Sequence, residues 1–299
     1  VSDAPVLAEV VRSGFVEARH RGAVIALNAD GSVAFALGDV STPIFPRSSN
    51  KPMQAVGMLR ANLDVKDELL ALVSASHSGE DFHVDGVRRI LAQAGLDETA
   101  LQCPPEPSRL QMNCSGKHAG MLATCVAARW DTRTYLEPAH PLQALIRLTI
   151  EELTGEPVAH TGVDGCGAPL FAFSLTGLAY AFRALAVAGE GTPERKVFDA
   201  VRAHPEWTSG TKRDEAALIR GVPGLFGKGG AEACYAVALD DGRAVALKIE
   251  DGNSRARPVV MAAALRALGV WTEAVEAQLT APVHGGGRQV GEIRAALPA

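Results

Sequence analysis

The sequence predicts an α+β fold (mixed α/β) in which an antiparallel sheet is flanked by helices. Three observations point there. Two β-prone pairs, Val24 to Leu27 with Val33 to Leu37 and Tyr235 to Leu239 with Ala244 to Ile249, are each joined by a short polar turn, Asn28-Ala29-Asp30-Gly31 and Asp240-Asp241-Gly242, the pattern of a hairpin. Between the two hairpins apolar residues recur at helical spacing. Hydrophobic residues make up 47% of the 299, aromatic residues only 5%, and there are 30 glycines, a balance that suits a compact mixed core and leaves little room for disorder.

Taken in order, the first hairpin opens the chain. After Pro43 and Pro46 the spacing turns helical, with Met53, Val56 and Leu59 on one face and Ser48 or Ser49 placed to cap the start. Pro52 is tolerated there because first-turn amides have no intrahelical partner. The segment 113 to 128 predicts a second helix, and Leu142, Leu145, Ile146 and Leu153 a third, ended by Gly155 as a left-handed cap. After the second hairpin, Val259 to Val270 predicts a closing helix. No internal repeat or low-complexity linker divides the chain, and the Gly/Pro-rich stretch from Gly162 to Pro169 is the one conceivable seam. Residues 1–299 are therefore expected to form a single catalytic domain.

Charge and cysteine usage narrow the function classes. Lys plus Arg total 29 against 34 for Asp plus Glu, a formal charge of −5, so the chain lacks the basic footprint of a nucleic-acid binder and a small-molecule substrate fits better. The five cysteines, Cys103, Cys114, Cys125, Cys166 and Cys234, are an odd number spread along the chain, against a secreted disulfide framework and in favour of a reducing cytoplasm. Asp3, Glu9 and Glu17 interrupt what would have to be the apolar core of an export signal. The longest apolar stretch, Val259 to Trp271, contains Arg266 and falls well below the roughly 20 apolar residues of a membrane-spanning helix.

Five constellations carry chemistry. In Arg47-Ser48-Ser49-Asn50-Lys51, Ser48 and Lys51 stand three apart at a helix start and share a face. A serine hydroxyl attacks only when a base takes its proton, and a lysine serves as base only when burial or a neighbouring cation lowers its pKa. A solvated lysine beside a capping serine produces the same tetrapeptide. Lys228-Gly229-Gly230 precedes a predicted strand, where hydrolases with a Ser-x-x-Lys helix keep a second lysine, and the order of elements resembles the serine β-lactamase and penicillin-binding fold. Glycines there would let backbone approach a substrate closely, as would a plain turn. Ser74 to Glu80 is a hydroxyl-rich loop in which Ser76 is a partner for Lys228, or a loop that bonds its own backbone. In Asn113 to Gly120, Cys114, Lys117 and His118 fall on one helical face, and with Cys166 of Asp164-Gly165-Cys166-Gly167 they offer sulfur and nitrogen donors for a metal. Free cysteines are equally at home as small buried hydrophobes.

Read together, Glu17 with His20-Arg21-Gly22, Pro46-Arg47-Ser48 with Lys51-Pro52, Ala75 to Glu80, Asn113-Cys114-Ser115-Gly116-Lys117-His118-Ala119-Gly120-Met121-Leu122, Asp164 to Gly167 and Gly227 to Glu232 resemble the signature set of the Rhizobium etli type L-asparaginases. The set covers nearly the whole chain. Its fold is similar to that of glutaminases and serine β-lactamases, and it is unrelated to the threonine-dependent asparaginases. The resemblance implies two serine/lysine pairs, Ser48 with Lys51 and Ser76 with Lys228, with Ser48 attacking and Ser76 assisting proton transfer. It implies that Cys114, Lys117 and Cys166 hold a zinc ion that organises substrate binding, that Arg47, His118 and Asp164 contact the carboxylate and ammonium of the substrate, and that the protein is a homodimer. One departure is visible, the absence near Arg213-Asp214 of a cysteine found there in some relatives.

The reaction so implied is conversion of L-asparagine to L-aspartate and ammonia. Lys51 deprotonates Ser48, an aspartyl ester forms, water releases it, and backbone amides near Ser48 and Gly229 stabilise the oxyanion by roughly 3 kcal/mol per donor. Both lysines must be wholly or partly neutral, which predicts an alkaline optimum. The rivals are a penicillin-binding or β-lactamase-like hydrolase, disfavoured by the absence of a readable export signal, and a zinc-stabilised binding protein without activity.

Overall fold

The computed structural model describes residues 3–297. Ten strands lie at β1 (Val6–Arg12), β2 (Phe15–Leu27), β3 (Val33–Leu37), β4 (His160–Val163), β5 (Pro169–Ala172), β6 (Leu225–Gly229), β7 (Cys234–Leu239), β8 (Ala244–Ile249), β9 (Thr280–Gly285) and β10 (Arg288–Ala295). Eight of them form one antiparallel sheet in the order β6-β7-β8-β2-β1-β10-β9, with β3 also paired to β2. The strand β2 changes partners along its length: Phe15 to Arg21 pair with β1, and Gly22 to Leu27 pair with β8. At the changeover stands Gly22, where a Cβ would collide with the Lys248 carbonyl. The expected antiparallel sheet and both expected hairpins are present.

The helices are α1 (Lys51–Arg60), α2 (Asp67–Val73), α3 (Asp81–Gln93), α4 (Ser115–Ala128), α5 (Pro141–Thr154), α6 (Leu175–Ala186), α7 (Pro193–Ala203), α8 (Pro205–Thr208), α9 (Asp214–Gly221), α10 (Arg257–Ala267) and α11 (Glu273–Glu276). Against the sheet, α6 packs on β7 and β8 while α10 packs on β8 and β10. All six residues of β7 are buried, so this strand reads as a continuous apolar run with no alternation, as strands covered on both faces do. The buried apolar side chains form one continuous cluster.

Three expectations need correction. The chain opens with β1, not with the hairpin at Asn28, because β1 and β2 meet through the tight turn at Ser13 and Gly14, both in the left-handed region. The helix α10 does not close the fold, since the hairpin of β9 and β10 follows and returns to pair with β1. Alternation there is weak because much of this ribbon is exposed. Gly162 to Pro169 is no seam; it spans the hairpin of β4 and β5, whose turn runs from Asp164 to Ala168. The C-cap of α5 at Gly155 is left-handed as expected, with φ 72°. No helix among the described residues is long and apolar enough to cross a membrane.

Candidate active site

Two segments bring hydroxyls to one cavity. Ser48 lies in a 3-10 turn, Arg47–Asn50, that runs directly into α1. The turn is entered with Arg47 in the left-handed region at φ 52°, a conformation that costs a side-chain-bearing residue about 1 kcal/mol or more and persists where the surroundings enforce it. Here Gly230 packs so closely on Pro46 and Ser49 that a Cβ would strike their backbone, and Ser49 Oγ donates to the Cys234 carbonyl at 3.2 Å. The turn is thus pinned to the ends of β6 and β7. Ser76 follows α2 in a loop whose backbone is held from two sides, by Ser76 N to the Thr208 carbonyl at 3.0 Å and His77 N to the Asn113 carbonyl at 3.1 Å. His77 Nδ1 accepts from Gly79 N, so its Nε2 carries the proton and donates to Ser115 Oγ at 2.9 Å, which donates onward to the Leu110 carbonyl. Burial holds the His77 pKa well below its ordinary value, with His83 and Lys51 adding to the effect.

The cavity, about 370 Å³, is lined by Ser48, Ser76 and Asn113 on one side and by Asp214, Glu215, Gly229 and Arg257 on the other. Its size falls in the range of small-molecule sites. Both serines are partly exposed to it, whereas Lys51 and Lys228 are wholly buried behind it.

The two lysines occupy one region of the molecule, but their partners differ from the expected pairs. The three hydrogens of the Lys51 amine go to the Ala75 carbonyl at 2.5 Å, Ser76 Oγ at 2.9 Å and Cys114 Sγ at 3.0 Å. Lys51 therefore meets Ser76, not Ser48, because its side chain runs inward toward the ends of α2 and α4 while Ser48 faces the cavity. Lys228 donates to the Gly229 carbonyl at 2.5 Å and lies 3.5 Å from Glu215 Oε2, so the expected contact with Ser76 is also replaced. Burial lowers the Lys228 pKa to about 8; Glu215 opposes this, and Lys51 and Arg257 reinforce it.

The thiol-bearing residues converge beside Lys51. Cys114 caps α4 and Lys117 lies in its first turn, while Cys166 sits at the tip of the turn between β4 and β5. Gly116 lets α4 approach α2 so closely that a Cβ would strike the Leu72 carbonyl. Lys117 Nζ donates to Cys166 Sγ at 3.1 Å. Cys114 Sγ donates to Asn113 Oδ1 at 3.0 Å and Cys166 Sγ lies 3.8 Å from Asp164 Oδ2; the proximity of the two sulfurs drives the Cys166 pKa far down and the Cys114 pKa well up. Burial disfavours charge on Lys117, yet Cys166, Cys114 and Asp164 outweigh it and raise its pKa. Among the described residues no three of His, Cys, Asp or Glu are grouped to hold a metal; two thiols converge with Lys117 as the third donor.

His118 is fully buried, with Nδ1 2.7 Å from the Tyr135 hydroxyl and Nε2 lacking a hydrogen-bond partner. It does not line the cavity. Arg47 and Asp164 meet through Nε and Oδ1 at 2.8 Å, and Glu232 lies 3.9 Å from Arg47. The carboxylates of Asp214 and Glu215, and Arg257, were not singled out in the sequence. Only their position inside apolar-rich helical segments marks them, and spacing alone does not tell a buried charge from a solvated one.

A family model described as L-asparaginase II matches residues 8–295. The chain belongs to the L-asparaginase II family. By that membership it is an amidohydrolase, and the family resemblance read from the motifs is correct. No curated protein matches its sequence. Among solved structures, Mglu in its native form is similar at 15% identity and a TM-score of 0.49, over 87% of this chain and 67% of that one. A β-lactamase from Mycobacterium bovis is similar at 12% identity and a TM-score of 0.46, over 83% of this chain and 94% of that one. At these values the likeness is partial, and the chemistry of this L-asparaginase II family member is read from its own residues.

Proposed function

We propose that the protein hydrolyses the side-chain amide of L-asparagine to L-aspartate and ammonia. The observation that carries this reading is the single cavity lined by Ser48 and Ser76, with the Lys51 amine on Ser76 Oγ from behind. Ser48 Oγ attacks the amide carbon, and its proton passes by way of Ser76 to Lys51 once that amine has given up one of its three hydrogens. The tetrahedral intermediate collapses with cleavage of the C–N bond, the proton returns to the departing nitrogen, and ammonia leaves an aspartyl ester on Ser48. Water then attacks the ester with the same base, releasing L-aspartate and restoring the serine.

Arg47, the chain neighbour of Ser48, and its partner Asp164 carry the charges that suit the α-carboxylate and α-ammonium of an amino acid. His118 would act from the interior, held by Tyr135 and lying beside Cys166 and Lys117. Cys114, Lys117 and Cys166 fit a zinc ion as two soft sulfur donors and one amine, the amine binding only once it has lost its proton. Bound there, zinc would supply a fixed positive charge beside the substrate. The deciding experiment is ammonia release from L-asparagine by the wild type and by Ser48→Ala, with L-glutamine as comparison. Undiminished release by a folded Ser48→Ala protein removes this mechanism.

A second reading, in which Ser76 is the nucleophile, is favoured by the 2.9 Å contact with Lys51. Mass spectrometry of the acyl-enzyme trapped at low pH assigns the ester to one peptide or the other.

A further inference from the structure

Glu215, in the first turn of α9, is buried with a cation on each oxygen. Oε2 lies 3.5 Å from Lys228 Nζ, and Oε1 lies 3.3 Å from Arg257 Nη1. Through Nη2, Arg257 donates to both oxygens of Asp214 at 2.8 Å, and its guanidinium stands 5.0 Å from the centre of the Tyr235 ring. The chain passes this pair at Gly229, where a Cβ would collide with Glu215 and Arg257 alike. Lys228, Glu215, Arg257 and Asp214 thus alternate in sign and sum to zero. A role in stability alone is poorly served by such a network, because apolar side chains of the same volume would usually stabilise the fold as well or better. Glu215, Asp214 and Arg257 also line the cavity that holds Ser48 and Ser76.

We propose that Glu215 is a positioning residue for Lys228, its carboxylate anchoring the Lys228 amine on one oxygen and Arg257 on the other so that the second lysine of the site is held in one place behind the cavity. This rests on the reaction proposed above and on Lys228, buried behind the same cavity, taking part in it. The charged surroundings of Lys228 are few. Glu215 faces it from α9, Arg257 from α10 and Lys51 from α1, with Asp214 one step further out on Arg257. On β7, Tyr235 and Cys234 stay neutral, the first held well above its ordinary pKa by burial and the second pushed up to about 11. Arg195 and Arg202 of α7 pair with Asp199 and Asp240, and Arg47 pairs with Asp164. Glu215 is therefore the anion that opposes burial at Lys228, and Arg257 moderates it.

The test is kcat and KM for ammonia release across pH in the wild type, Glu215→Gln, Glu215→Asp, Arg257→Met and Lys228→Met, with folding checked by circular dichroism. Loss of the anion moves the acid limb of kcat/KM to lower pH by about one unit or more in Glu215→Gln, and loss of the cation moves it to higher pH in Arg257→Met. Glu215→Asp, which keeps the charge but shortens the reach, lowers kcat with the limb in place. If Glu215→Gln does not fold, the upward shift in Arg257→Met together with the kcat loss in Glu215→Asp supports the assignment, and the absence of both overturns it. A Glu215→Gln protein with an unmoved limb and only a raised KM places the carboxylate on the substrate instead and ends the positioning role, while loss of activity in Lys228→Met leaves the function standing. Full activity in Lys228→Met removes the premise and the inference together.

Discussion

Lys51 and Lys228 are the same residue type, equally buried, at the back of one cavity, yet their neighbourhoods are opposites. Around Lys51 the acceptors are a carbonyl, a hydroxyl and a thiol, at least two of which can exchange protons with an amine. Around Lys228 the partners are a carbonyl and a carboxylate that is itself tied to Arg257. A hydroxyl partner gives the amine a proton to exchange, and a carboxylate partner fixes the amine in place. Burial alone therefore does not assign a role to a lysine; the protonation chemistry of what it touches does.

The comparison breaks most visibly if the hydroxyls on the Lys51 side are not the reactive ones. Ser48→Ala is expected to lower kcat for ammonia release by on the order of 10⁴-fold or more, as loss of a nucleophile does. Lys51→Met removes the base and is expected to cost about 10²- to 10⁴-fold, measured in a protein whose fold is checked first because a buried lysine is replaced. A Lys51→Met protein with near-normal kcat would transfer the base role to Lys228.

The pH profile sharpens the contrast. The proposed reaction needs a neutral lysine, and the Lys228 pKa is lowered to about 8 chiefly by burial, so if Lys228 takes part kcat/KM should rise through pH 8 and fall about tenfold per unit on the acid side. A profile flat from pH 6 to 10 contradicts a titrating lysine. Smaller still is the effect of metal. With zinc in the thiol nest at about 1,000 times its dissociation constant, the folded state gains about 4 kcal/mol, so a chelator should lower Tm by several degrees and Cys114→Ser should abolish that drop. Smallest is a change remote from both lysines: Phe15→Ser on the exposed start of β2, 74% accessible, should alter stability by no more than about 0.5 kcal/mol.

Much of this was legible in the residues. Turn chemistry at Asn28 to Gly31 and Asp240 to Gly242 placed two hairpins, and Gly155 placed a helix end, because local φ preferences act without the rest of the chain. The ordered motifs around Ser48, Ser76, Cys114, Cys166 and Lys228 identified the family. The hairpin of β9 and β10 was missed because exposed strands have weak alternation. The pairing of serines with lysines was misread because sequence spacing reports which residues share a turn, not which way a long flexible side chain runs once buried.

By itself the sequence determined which groups are present and where the chain bends: two serines, three buried-to-be lysines and two thiols on turns and helix starts. Only the tertiary structure decided that Lys51 reaches across 25 positions to Ser76 and that Glu215 is shared between Lys228 and Arg257. The reason is physical. Backbone conformation follows from neighbours a few residues apart, whereas the partner and charge of a buried amine follow from packing between segments that meet only after folding.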